Sequence, residues 1–346
     1  MGANLYVHFP FCRSKCSYCA LHSRAGQGLE RRRDYVNDLV RSLLSEDLSN
    51  ETWRTIYFGG GSPALCDLRP LFEALRPMLS VRSALSTEFT VELHPLDVTD
   101  DLLKTLKAGG VNRISMGVQS LDDAVLTAMG RGYTFAEVER AFALVKKYFD
   151  NAGIDLIVGY PGETSALTPQ HARLAKWGLR HCSVYSLILE EKTMLALQVA
   201  RQQVTLDDDD MVMNRLKAVA AFLKDIGLER YEISNYAAPG YECRHNLAVW
   251  RGEDYVGLGE GAHGRIGLGR TQNGQVVETV TPETDAKERR LFRLRTREGL
   301  DAIGYPEWLP ALDKFAAEGL LAKSGLVYRL TERGTEVCDS ILAEII

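Results

Sequence analysis

The chain has 346 residues, 45% of them hydrophobic and 25% charged, with a formal net charge of −5. That length suits one large domain plus a small one, and the balance is that of a globular protein in water. The charge argues against a general nucleic-acid binder, and no stretch approaches the roughly 20 apolar residues of a membrane span. No basic and apolar leader opens the sequence, and the seven cysteines are an odd number. A reducing cytoplasm is therefore expected, with any membrane contact peripheral.

The first predicted strand is Leu5–Phe9, and Cys12, Cys16 and Cys19 follow it at C-x3-C-x2-C spacing. An amphipathic run then carries Tyr35, Val36, Leu39, Val40, Leu43 and Leu44 at helical spacing. Further predicted strands are Thr55–Phe58, Glu88–Leu93, Arg113–Val118, Ile154–Val158 and Ser183–Ile188. Between them lie helical patterns near Leu68–Leu79, Asp101–Lys107, Ala136–Phe149 and Pro169–Trp177. Strand alternating with helix implies a parallel sheet, with functional groups at the C-terminal strand ends. About six units make a curved sheet or a partial (β/α)6 barrel over residues 1–205.

Residues 206–285 read as an extension of that barrel. Asp207–Asp210 open the helical run Met211–Ile226, where acids favour the helix dipole rather than a metal. Residues 229–265 are rich in Gly, aromatic residues and His. Gly259, Gly261 and Gly264 match a dinucleotide fingerprint only formally, since no clear helix follows. Residues 286–346 read as helix, helix, hairpin, helix, a small mainly helical, winged-helix-like domain. The hairpin is Leu320–Ala322 and Val327–Leu330, and Thr331–Ile346 closes the chain. This domain has too little basic excess for DNA and is expected to pack or to form a lid.

Three thiolates on one short loop can converge on one metal centre. Three is one short of an all-cysteine iron–sulfur site, so a [4Fe–4S] cluster held this way keeps one iron open. Zinc is the rival, with His22 or His8 as a fourth ligand. Ordinary buried thiols give no reason for the clustering, and cysteines three or four apart make no useful disulfide staple. Cys66, Cys182, Cys243 and Cys338 read as packed thiols. Gly59-Gly60-Gly61-Ser62-Pro63 follows a strand, and its glycines allow close approach to the backbone with exposed amides and carbonyls. Glu92 and Gln119 end strands, Arg131 lies just beyond, and Asp155 lies within the next strand. Together they suit a nucleoside that bears an amino acid, since Arg pairs carboxylates and acids hold hydroxyls or an ammonium.

These features resemble the radical S-adenosylmethionine (SAM) superfamily. Tyr6-Val-His-Phe-Pro-Phe-Cys12, Tyr57-Phe-Gly-Gly-Gly-Ser-Pro63, Arg113-Ile-Ser-Met-Gly-Val-Gln-Ser120 and Ile154-Asp-Leu-Ile-Val-Gly-Tyr-Pro161 resemble the oxygen-independent coproporphyrinogen III oxidase group. Tyr231-Glu-Ile-Ser-Asn-Tyr236, Arg244-His-Asn-Leu-Ala-Val-Trp250 and Tyr255-Val-Gly-Leu-Gly259 resemble its HemW branch, the haem chaperones. The resemblance runs from about residue 4 to the C-terminus and leaves zinc a remote reading. It implies that Cys12, Cys16 and Cys19 ligate a [4Fe–4S] cluster. It also implies that Tyr6, Gly60, Gly61, Ser62, Glu92, Gln119, Arg131 and Asp155 contact SAM at the open iron.

Leu21 stands where the oxidase carries a further cysteine, and the strand begins almost at once, without the oxidase's N-terminal extension. Both favour HemW. The branch's His-Asn-x-x-Tyr-Trp stretch is matched by His245, Asn246 and Trp250, with Val249 in place of Tyr; Ala20-Leu21 likewise replaces Asp-Phe. The resemblance makes His245 a haem ligand and haem the cargo, delivered to haem-requiring respiratory or other membrane proteins. The alternatives are oxidative decarboxylation of coproporphyrinogen III propionates by a 5′-deoxyadenosyl radical, or another tetrapyrrole-modifying reaction. Oxidase activity is the less favoured.

Overall fold

The computed structural model describes residues 3–45, 48, 51–79 and 87–345. Six parallel strands lie in sequence order: β1 (Ala3–Phe9), β2 (Trp53–Gly60), β3 (Glu88–Leu93), β4 (Arg113–Gln119), β5 (Ala152–Val158) and β6 (His181–Ser186). The connecting helices include α1 (Leu29–Leu43), α2 (Arg69–Leu75), α3 (Asp100–Ala108), α4 (Asp123–Met129), α5 (Phe135–Tyr148) and α6 (Pro169–Leu174). The partial (β/α)6 reading holds for this part of the chain. The sheet stays open rather than closing, and it continues past both edges of the six.

Alternation along the strands explains the architecture. Leu5, Val7 and Phe9, then Ile56 and Phe58, Phe89 and Val91, and Ile114, Met116 and Val118 are all buried, none above 1% exposed. They form the apolar side, under the helices. Each such residue contributes about 1.5–3 kcal/mol by leaving water. The intervening residues are polar: Tyr6, His8, Tyr57, Glu92, Ser115, Asp155 and Ser183. Register sets them side by side, with Tyr6 opposite Tyr57, Glu92 opposite Ser115, and Asp155 opposite both Gly117 and Ser183. A concave face of this kind is built for a polar ligand rather than for packing.

Two helices absent from the sequence reading, α7 (Met194–Ala200) and α9 (Arg244–Trp250), flank α8 (Asp209–Asp225). Strand β7 (Asn235–Ala237) pairs antiparallel with β6. Strand β8 (Tyr255–Leu258) pairs parallel with β1 and leads into β9 (His263–Ile266), an antiparallel neighbour. Gly259 and Gly261 lie in the turn between these two strands, both with positive φ, and Gly264 falls inside β9. The dinucleotide fingerprint is thus a turn within a sheet.

The C-terminal part keeps the expected helix, helix, hairpin order, but it closes with two short helices rather than one, and Leu300–Asp301 adds a third strand to the hairpin. Helix α10 (Pro282–Leu291) and α11 (Leu309–Ala317) precede the hairpin Leu321–Ser324 and Val327–Leu330, then α12 (Glu332–Glu336) and α13 (Cys338–Ile345). Ile346, at the end of the predicted closing segment, lies outside the described residues. Leu294, Leu300, Leu312, Tyr328 and Ile341 centre a hydrophobic cluster distinct from that of the strands. Among the described residues, no helix is long and apolar enough to cross a membrane.

Candidate functional site

The three cysteines sit on a loop tied down at both ends and in the middle. Phe11–Cys12 runs parallel to Arg24–Ala25, and the Arg24 amide donates to the Pro10 carbonyl at 2.7 Å. Midway, Ser17 N–H donates to Met129 O at 3.1 Å, and its hydroxyl meets the Tyr160 hydroxyl at 2.8 Å. Cys12, Cys16 and Cys19 are unpaired and half-buried, whereas Cys66, Cys182, Cys243 and Cys338 are buried, as expected of packed thiols. Accessible thiols on one anchored loop are a donor set that a cluster's open edge fits. Among the described residues, no three His, Cys, Asp or Glu side chains converge on one ion. A cluster gives each thiolate its own iron and does not need that convergence.

The zinc alternative also lacks its fourth ligand. His8 Nε2 lies 2.8 Å from the His22 carbonyl, which can only accept, so Nε2 carries the proton. Nδ1 then accepts from the Tyr6 hydroxyl at 3.0 Å, and burial lowers the His8 pKa. The His22 ring lies 3.6 Å from the Glu260 carboxylate, which also pairs Arg24 and Arg31.

The glycine run differs from its sequence reading. A Cβ on Gly60, whose φ is +104°, would stand 2.6 Å from the His8 ring, and one on Gly61 would stand 2.9 Å from Cys12 Sγ. One on Gly59 would stand 3.0 Å from the Glu92 carboxyl. The glycines let the strand end close on the cysteine loop. Their amides are not exposed to a ligand: Gly60 N–H donates to Glu92 at 3.1 Å, Gly61 N–H to Phe9 O and Ser62 N–H to Phe11 O, both at 2.7 Å. The buried Ser62 hydroxyl donates to Asp97, which also holds Arg13, the neighbour of Cys12.

Glu92, near the end of β3, and Asp155, in the middle of β5, form an acidic pair on the concave face. Burial first, then the charge of Asp155, pushes Glu92 up to about 7, against donation from the Tyr57 hydroxyl at 2.8 Å. Burial raises Asp155 too, opposed by the hydroxyls of Ser183 and of Ser115, the latter at 3.0 Å. Gln119 has φ +72°, a left-handed conformation uncommon outside glycine, and it sits at a bulge between β4 and β5. The bulge turns its side chain back over Gly117, where a Cβ would stand 2.8 Å from Nε2. Arg131 follows Gly130, the left-handed C-cap of α4, which returns the chain to the mouth. Its Nη1 donates to Cys16 Sγ at 3.2 Å. The sequence reading missed Gly117, Ser115, Ser183 and Tyr57. The period-2 register with Asp155 and Glu92 was the signal that could have found them.

His245 is not at this mouth. It lies in the first turn of α9, which sits across the N-terminal ends of the strands. The Glu88 carboxylate at the start of β3 caps that helix, accepting from the Arg244 and His245 amides at 3.0 and 3.1 Å. Thr55 donates to Asn4 Oδ1 at 2.9 Å, so the 2.8 Å contact between Thr55 and His245 Nδ1 has the ring as donor. The ring is 4% exposed, 5.2 Å from that of Tyr57, and burial pushes its pKa down to about 3. In the ligand-free chain the ring that the resemblance makes a haem ligand is therefore enclosed and hydrogen-bonded, away from the cysteine loop. Sequence proximity to Trp250 gave no warning, because burial of α9 depends on strands some 190 residues away.

The radical SAM superfamily model matches residues 6–175. A protein of Bacillus subtilis named heme chaperone HemW is 31% identical, with 98% of this chain and 99% of that protein covered. HemW of Escherichia coli is also 31% identical, covering 98% and 97%. The mouse protein named radical S-adenosyl methionine domain-containing protein 1, mitochondrial, is 32% identical over 94% of this chain and 75% of its own length. Among solved structures, coproporphyrinogen III oxidase (HemN) from Escherichia coli superposes with a TM-score of 0.81 at 20% identity, covering 99% of this chain and 90% of that one. That likeness is one of fold. The chain belongs to the radical SAM superfamily, in its HemW/HemN branch, and with that membership go a [4Fe–4S] cluster and S-adenosylmethionine.

Proposed function

We propose that Cys12, Cys16 and Cys19 hold the cluster, that SAM binds across the adjoining strand ends, and that the protein is a haem chaperone of the HemW kind. The observation that carries the cofactor reading is the anchored thiol loop set directly beside Glu92, Gln119, Arg131 and Asp155. The paired carboxylates receive the ammonium and ribose hydroxyls of SAM, because a cation offsets both the burial and the Asp155 charge that raise Glu92. Arg131 and Gln119 meet the carboxylate side. Tyr6, Gly60, Gly61 and Ser62 shape the wall behind: Ser62 holds Asp97, and Tyr6 donates to the Nδ1 that the His22 carbonyl leaves as the acceptor of His8. The bound cofactors supply the redox chemistry; the chain orients them and limits water.

Haem as cargo is supported by the relatives named heme chaperone HemW and by an apolar rim beside the cysteine loop. Leu21, Ile188, Leu189, Met194 and Leu197 are all exposed, Ile188 at 67%, and Leu195 N–H ties that segment to Ser17 O at 2.8 Å. Such a rim suits one face of a flat apolar macrocycle. Delivery to respiratory or other membrane proteins from the cytoplasm completes the proposal.

The deciding experiment uses anaerobically reconstituted protein in two arms. Haem is titrated while the Soret band is followed, and coproporphyrinogen III is incubated with SAM and a reductant. Haem binding without decarboxylation is expected. Conversion of coproporphyrinogen without haem binding would overturn the chaperone reading in favour of an oxidase. A protein that takes up no iron and sulfide would overturn the cofactor reading itself.

A further inference from the structure

Arg131 does more at the mouth than wait for a ligand. Nη1 donates to Cys16 Sγ at 3.2 Å, Nη2 to the Gly117 carbonyl at 2.8 Å, and Nε to the Tyr133 hydroxyl at 2.7 Å. The guanidinium carbon also lies 5.2 Å from the Tyr133 ring centroid. Gly117 leaves room for Gln119, whose Nε2 a Cβ there would meet at 2.8 Å, and Nη2 of Arg131 lies in ordinary contact beside it. Tyr133 is buried, and its hydroxyl is placed 2.9 Å from the carbonyls of both Gly117 and Val118. The cation is therefore pinned on three sides with one N–H aimed at a sulfur. A guanidinium has five N–H groups, so one remains on each Nη for a carboxylate.

We propose that Arg131 is a positioning residue for the iron–sulfur centre, whose N–H···S bond to Cys16 raises the cluster's reduction potential. The proposal rests on the reading of Cys12, Cys16 and Cys19 as cluster ligands. Reduction adds one negative charge, shared over the cluster and its thiolates. A fixed cation with a donor on one of those thiolates stabilises the reduced form more than the oxidised form. The link would also couple the two sites, because Nη2 of the same guanidinium lies beside Gly117, next to Gln119.

The test is a redox titration of the full, reconstituted chain without SAM, read by electron paramagnetic resonance of the reduced cluster. Arg131→Gln is expected to shift the one-electron equilibrium about tenfold toward the oxidised form, a fall of about 59 mV. Arg131→Lys keeps the charge and loses the fork, so its fall is expected to be smaller. Tyr133→Phe frees Nε while leaving Arg131 in place, and a smaller fall of the same sign is expected there too. An unchanged midpoint in iron-loaded Arg131→Gln overturns the proposal. Should Arg131→Gln fail to load iron, an unchanged midpoint in Tyr133→Phe overturns it instead. A wild-type chain that loads no cluster defeats the underlying reading. Lost SAM affinity in Arg131→Gln with an unmoved potential leaves that reading standing and defeats only the role on Cys16.

Discussion

The mouth and the floor of the barrel are made from the two ends of the same strands, and each carries cysteine, histidine and acid. At the mouth the thiols are half-buried, and the acids Glu92 and Asp155 repel one another, which leaves a demand that a cation can meet. At the floor the corresponding groups satisfy each other. Glu88 caps α9, Cys243 Sγ lies 3.6 Å from Glu88, and His245 is held by Thr55. The difference teaches that residue type does not mark a site; an unmet electrostatic or ligand demand does. The floor's polar residues close the barrel, and the mouth's hold it ready.

The sharpest break of this contrast is substitution of one residue at each end. Cys16→Ala is expected to lose nearly all bound iron while keeping its far-ultraviolet circular dichroism, because a two-cysteine remnant cannot hold a cluster with an open iron. His245→Ala is expected to do the reverse. It should keep iron and haem uptake and lose about 2–4 kcal/mol of stability in urea, from a buried ring and its hydrogen bond. Haem affinity that collapses in His245→Ala with stability intact would return the ligand role to the floor and erase the distinction.

The acidic pair gives a pH signature next in size. Glu92 titrates at about 7 in the folded chain against an ordinary 4.5. Between those values the folded state keeps a proton that the unfolded chain has lost, so the stability of the ligand-free protein falls as pH rises through that window. A cationic ligand needs the charged form, so SAM affinity is expected to rise by up to about tenfold per pH unit below about 7 and to level off above it. Glu92→Gln should flatten both curves. Urea melts of the ligand-free protein check the first, and equilibrium dialysis of SAM across pH 6 to 8 checks the second. A SAM affinity that stays pH-dependent in Glu92→Gln would place the titrating group elsewhere.

Much of the mouth was legible in the sequence because it lies in short local motifs at strand ends. The cysteine spacing, the glycine run and the strands that carry Glu92 and Asp155 each need only a few neighbouring residues to be read. What was not legible depends on register and distance. Gly117 earns no notice until β4 is aligned with β5 and Arg131 comes back past the Gly130 cap. His245 looked like a ligand because its motif is local, while its burial comes from Asn4, Thr55 and Glu88 on three separate strands. The amides of Gly60, Gly61 and Ser62 looked available for the same reason, since their acceptors, Phe9, Phe11 and Glu92, lie on other elements.

Ser62 tests the comparison at its finest, because it sits at the mouth yet is satisfied as the floor residues are. Its hydroxyl donates to Asp97, whose side chain is 2% exposed and also holds Arg13 beside Cys12. Ser62→Ala leaves Asp97 with Arg13 as its partner, so the expected loss is about 1–2 kcal/mol of stability, read as a lowered urea midpoint. SAM affinity should stay within about twofold, which corresponds to well under 1.4 kcal/mol. Asp97→Asn, which weakens both ends of the link, should release cluster iron to a chelator faster than Ser62→Ala does. If Ser62→Ala instead loses SAM affinity tenfold at unchanged stability, its hydroxyl turns to the ligand on binding, and the bond to Asp97 is a resting arrangement. That outcome would move Ser62 from the group that supports the cysteine loop to the group that touches the cofactor, and would show that satisfaction in the ligand-free state is not enough to dismiss a residue at the mouth.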